Sequence, residues 1–114
     1  MLDKGEIEKL ARCDALAEIL KHVKSVGGKV HDDTVDLAEK IAEEYVKEVG
    51  CPTTTPKVFA AACVYLAGIL TGERLRQIDV GGLFSVSEAS IRRSFKHIAK
   101  ALGSTVWELV EKYV

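Results

Sequence analysis

The segment SEASIRRSFKHIAKAL, Ser87 to Leu102, carries the basic residues Arg92, Arg93, Lys96 and Lys100 on a pattern of helical period. On a helical wheel with Ile91 at zero, Ile91, Phe95, Ile98 and Leu102 fall within about 40° either side, while Ala89, Arg93, Lys96, His97 and Lys100 point the opposite way. Cationic side chains at Arg93 and Lys96 have the donors to read guanine edges or grip phosphates. Ser87 and Ser90, at a helix start with open N–H groups, suit a phosphate, and Ala89 leaves room for a thymine methyl. Arg92, on the flank, suits a backbone phosphate or an internal ion pair. The candidate nucleic-acid-contacting residues are thus Ser87, Ala89, Ser90, Arg92, Arg93, Lys96 and Lys100. By itself, such a face equally suits plain solvation.

The elements that would hold this face form a helix-turn-helix pattern from Gln77 to Ile98, within a unit of about residues 75–102. Val80 and Phe84 suit the buried side of the first helix, Ser85-Val86 the turn, and Ser87 the cap of the second. Gly81-Gly82 is expected to weaken the first helix by roughly 1 kcal/mol per glycine relative to alanine.

Upstream, Phe59 to Leu70 is apolar on every side, as befits a helix surrounded by others, and its alanines allow neighbours to approach closely. Thr55-Pro56 supplies its cap and first position. Before it, Leu37, Ala38, Ile41, Ala42, Tyr45, Val46 and Val49 line one stripe of an acidic helix that Asp32 or Asp33 can cap and Gly50 ends. An earlier helical pattern from Glu6 to Val26 stops at Gly27-Gly28, with a kink or break near Cys13-Asp14. A short amphipathic stretch from Thr105 carries Trp107, Leu109, Val110 and Val114. Strand-like alternation is absent, so the expectation is an all-α domain of five or six helices around one buried central helix.

The 114 residues, 47% hydrophobic and 29% charged, suit one globular domain over 1–114. The net charge of −1 conceals a division: residues 1–51 hold eight basic and twelve acidic side chains, residues 52–103 seven basic and three acidic. The basic side therefore belongs to the C-terminal helices. The first twenty residues lack an apolar signal region, and Val58 to Gly72, the longest uncharged helical run, falls short of the roughly 20 residues a membrane span needs. Cys13, Cys51 and Cys63 form no CxxC pair, and the expectation is three free thiols. His22, His31 and His97 lie on separate segments without HExxH spacing, and no GxSxG, Walker A or GxGxxG occurs. Glu43-Glu44 and Asp32-Asp33 read as helix charge and capping, and Cys63 as a core residue. No enzyme, metal or cofactor is expected.

Thr55 to Lys100 resembles a cyclin repeat of the transcription factor IIB family, including its archaeal counterpart transcription factor B. The likeness rests on Pro56, Ala60 to Ala62, Tyr65, Leu66 and Ala67 in the central helix. It continues through Val86, Ser87, Glu88, Ser90, Ile91, Arg92, Phe95 and Lys96 in the turn and last helix. The acidic helix with Leu37, Ala38, Ile41 and Tyr45 is similar to the second helix of such a repeat, extending the likeness over about residues 14–102.

The resemblance implies a cyclin-like five-helix domain with a helix-turn-helix and a short extra C-terminal helix. It is most like the second, promoter-contacting repeat, whose helix-turn-helix reads a purine-rich element beside the TATA box. Implied partners are double-stranded promoter DNA, the TATA-binding protein and RNA polymerase; the expected free thiols and the lack of a signal or membrane segment give the expected setting as cytoplasmic, at the nucleoid. Departures are Gly81-Gly82 in place of small and acidic residues, Arg93 where the family often has Asn, and Ser94 where it often has Arg. The alternative is a cyclin-like protein-interaction module that uses the charged surface of Val35 to Val49 and binds no DNA.

Overall fold

The computed structural model describes residues 13–103. The short helix expected from Thr105, with Trp107, lies outside the described residues, as does the start of the first helix before Cys13. Five helices follow in order: α1 (Asp14–Lys24), α2 (Asp32–Glu48), α3 (Pro56–Thr71), α4 (Gln77–Phe84) and α5 (Glu88–Leu102). No strand forms among the described residues; an isolated bridge joins Gly27 to Val30 in the α1–α2 turn.

Helix α3 is the hub. It packs against each of the other four helices, and every residue from Phe59 to Ile69 is buried. Ala60, Ala61, Ala62 and Ala67 have no exposed surface, because their short side chains let the surrounding helices come close. The helix is closed at both ends by local chemistry. Thr55 Oγ1 accepts from Val58 N–H and Pro56 opens the first turn. Gly72, at φ 83°, turns the chain left-handed so that Glu73 N–H donates to Gly68 O at 2.9 Å.

Helix α1 begins at Asp14, with Cys13 as its N-cap, so the expected break near Cys13-Asp14 is a helix start. For α2, the structure corrects the expected cap. Asp32 and Asp33 lie inside the first turn, and His31 occupies the N-cap without a side-chain cap bond. One orphan donor is met from far along the chain: Glu73 accepts His31 N–H on both carboxylate oxygens, at 3.0 and 3.1 Å. The fully buried Thr34 donates its hydroxyl to the same carboxylate and pairs with the Thr71 hydroxyl at 2.9 Å. A local sequence pattern cannot reveal this, since the capping carboxylate stands 42 residues from the backbone it serves.

The cysteines also depart from expectation. Cys13 and Cys51, 38 residues apart in sequence, are joined in a disulfide with Cα atoms 5.1 Å apart. It ties the start of α1 to the loop that follows α2. The spacing rules that pointed to free thiols concern cysteines close in sequence, whereas this pair meets because α1 and α2 pack side by side. Cys63 is the free thiol, fully buried in α3, and burial pushes its pKa far up, which makes it an inert core residue.

Candidate nucleic-acid interface

The geometry of the α4–turn–α5 unit follows from a few residues. Ser85 caps α4 in the left-handed region at φ 55°, and Val86 N–H donates back to Gly81 O at 3.0 Å, closing the last turn. A side chain at Gly81 has no room: its Cβ would stand 2.8 Å from Val86 O, a backbone atom. Gly81 is therefore the contact on which the turn rests, which revises the reading of both glycines as mere weak points. Only Gly82, whose Cβ would meet nothing within 4 Å, fits that reading. Opposite signs are expected: Gly81→Ala should lower stability by about 1–3 kcal/mol through overpacking. Gly82→Ala should raise it by up to about 1 kcal/mol. Denaturant midpoints of the two variants check this.

Ser87 caps α5. Its Oγ accepts Ser90 N–H at 3.2 Å and donates to Ser90 Oγ at 2.8 Å, which leaves the Ser90 hydroxyl proton directed elsewhere. Ile91, Phe95 and Ile98 are fully buried, Leu102 half-buried, and Phe95 meets Tyr65 edge to face at 4.8 Å between ring centres. With that side fixed, Ala89, Arg92, Arg93 and Lys100 are exposed, and Ser90 and Lys96 half-buried. Arg92 reaches back to α4, where its Nε donates to Gln77 Oε1 at 3.3 Å. The acceptor is a neutral amide oxygen, so this is not the internal ion pair that the sequence allowed, and Arg92 is still exposed. The helix-turn-helix thus carries its own brace.

Arg76, just before α4, adds little free positive charge. Its guanidinium donates to Asp79 at 2.9 and 3.0 Å, and the bond holds the Asp79 carboxyl below its usual range.

Arg93 lines an open groove of about 520 Å³ between α5 and the Pro52–Thr55 loop. Thr53, Thr54 and Thr55 form one wall, Ser90, Arg93 and His97 the other, and Tyr45 and Phe59 lie at its base. Tyr45 ties the α5 wall to the base: its hydroxyl is 2.9 Å from His97 Nε2 and its ring meets Phe59 at 5.0 Å. Burial, and to a lesser degree Cys63, pushes the Tyr45 phenol above its usual range, so it stays protonated and hydrogen-bonds as a neutral group. The sequence signals only a loop at CPTTTP. That it faces α5 is a consequence of how α2 and α5 both pack on α3.

Among the described residues, no group of three or more His, Cys, Asp or Glu gathers as metal ligands, and no helix is long and apolar enough to cross a membrane.

Five helices with a buried central one, the last two joined as a helix-turn-helix, define a cyclin-like all-α repeat. The family described as the Transcription factor TFIIB repeat matches residues 13–101, and the chain belongs to that family. Relatives bear the name Transcription initiation factor IIB. The protein of Ignicoccus hospitalis is 33% identical over 104 residues, covering 87% of this chain and 32% of the relative. That of Archaeoglobus fulgidus is 33% identical over 78 residues (68% and 23%), and that of Methanopyrus kandleri 40% over 75 (65% and 24%). The chain thus spans about a third or less of the length of these curated relatives. No solved structure gives a significant match.

Proposed function

We propose that this repeat serves transcription initiation as a non-catalytic module that holds promoter DNA through α4, the turn and α5. The observation that carries the reading is on α5: a basic outward side, set by the burial of Ile91, Phe95 and Ile98 behind it, opens on a Ser-capped N-terminus. Membership of the TFIIB repeat family, with relatives named as initiation factors, supports the same role. In this reading Arg93, Lys96 and Lys100 contact the duplex, with Arg93 at a base edge. Ala89 lies against the bases, and Ser87, Ser90 and Arg92 at the helix start hold a phosphate. The TATA-binding protein and RNA polymerase are further partners, by resemblance to the family.

The test is titration of a labelled duplex, with a purine-rich segment beside a TATA box, at about 50 mM salt. One repeat has a small footprint, so weak binding is expected. Log affinity should fall linearly with log salt, and Lys100→Ala should lower that slope by about one. Arg93→Ala should cost roughly 1–3 kcal/mol on the preferred sequence and much less on a scrambled one. Equal binding by the wild type and a folded Arg93→Ala, Lys96→Ala, Lys100→Ala variant would end the DNA reading.

A further inference from the structure

The groove beside Arg93 has one wall on helix α5 and one on a loop, and the two are held very differently. Helix α5 is anchored by Ile91, Phe95 and Ile98 in the core. The loop has little of that kind: Thr53, Thr54 and Thr55 are exposed and Pro52 is half-buried. Its fixed points are Pro56 at the start of α3 and, immediately before Pro52, Cys51 in disulfide linkage to Cys13. Cys13 itself is set in the core, 4% exposed, whereas Cys51 is an exposed residue. The bond therefore runs from a buried anchor to the root of the exposed loop wall, and its outer end is open to reagents.

We infer that the Cys13–Cys51 disulfide is a redox latch on this groove, which a dithiol reductant opens at Cys51, releasing the Pro52–Thr55 wall from α1 and weakening the grip on DNA. The consequence for DNA rests on the function proposed above. The exchange balances with the dithiol alone. One of its thiolates attacks Cys51 Sγ, the S–S bond breaks, and Cys13 leaves as a thiolate that takes up a proton. The second thiol of the reductant then displaces Cys51, so that two protein thiols form and the reductant ends as a disulfide. Two electrons and two protons pass to the protein. Attack falls on Cys51 because the core covers Cys13. Opening adds conformational freedom to the loop that must be lost again when a duplex is seated against it, so the bound state becomes harder to reach.

The experiment compares the protein oxidised with glutathione disulfide, the same protein reduced with dithiothreitol, and the Cys13→Ser, Cys51→Ser variant. All three are assayed where circular dichroism shows equal helicity. Hydrogen exchange of the bonded amides on either side of the loop, Gly50 (to Tyr45 O) and Val58 (to Thr55 Oγ1), reads the latch without DNA, and duplex titration reads its consequence. Exchange should quicken in the reduced protein and in the variant, and affinity should fall roughly 2- to 10-fold in both. The variant should be indifferent to dithiothreitol. Alkylation and mass spectrometry that find no Cys13–Cys51 bond in the oxidised protein, or exchange that ignores reduction, would overturn the latch. Faster exchange with unchanged affinity would overturn its control of DNA. Absence of binding by either form, with exchange still responding, overturns the DNA reading and leaves the latch standing.

Discussion

Leu66→Ala should destabilise the domain by about 2–5 kcal/mol, the cost of removing buried methyl groups and leaving the space empty. Leu66 has no exposed surface and sits in the middle of α3, on which the other four helices pack, so no single neighbour can swing in to fill the hole. A decrease in the denaturant midpoint with an unchanged m-value is the expected signature. A cost under about 1 kcal/mol would mean that the site collapses freely, contrary to a close-packed interior. Leu66→Met, of similar volume, should cost less than about 1.5 kcal/mol and serves as the control.

Removing the disulfide should have an effect of the same order. With 38 residues separating Cys13 from Cys51, the loop-closure relation gives about 4 kcal/mol of stabilisation through restriction of the unfolded chain. Melting of the oxidised protein should accordingly fall by well over ten degrees when dithiothreitol is added, since about 1 kcal/mol shifts a domain of this size by roughly 4–8 °C. The Cys13→Ser, Cys51→Ser variant should melt where the reduced protein melts. Cys63→Ser separates this effect from any role of the third cysteine, because its redox response should match that of the wild type.

What the sequence reveals of this fold is what depends on neighbours within a turn or two. The apolar-all-round pattern of Phe59 to Leu70 marks the hub because no face of such a helix can meet water cheaply. Thr55-Pro56 and Ser87 mark helix starts because their chemistry acts three residues away. The bare side of α5 is legible for the same reason: burial of Ile91, Phe95 and Ile98 at helical spacing leaves Arg93 and Lys100 outside. Features built between distant segments are silent in the pattern. His31 gives no sign that Glu73 will cap it, Cys13 none that it will meet Cys51, and Thr53 none that it will face Arg93. Gly81 is an intermediate case. A glycine in a short helix reads as a local defect, and only the return of Val86 O to within 2.8 Å of its missing Cβ shows it to be a requirement of the turn.

The carboxylate of Glu73 has a bearing on how the chain acquires its structure. While synthesis has reached only residue 72, the start of α2 has four orphan N–H groups and a buried threonine hydroxyl still in want of a proper acceptor. The residue that accepts the first of these N–H groups, that of His31, and the Thr34 hydroxyl follows directly on α3, so the start of α2 becomes complete only when the hub helix is finished and its outgoing turn has folded back. Helices α1 and α2 are in this sense no autonomous foldon. The start of α2 depends on a contact of long sequence separation, and local opening of the α3–α4 turn should propagate to it, coupling two places that share no helix into one cooperative unit.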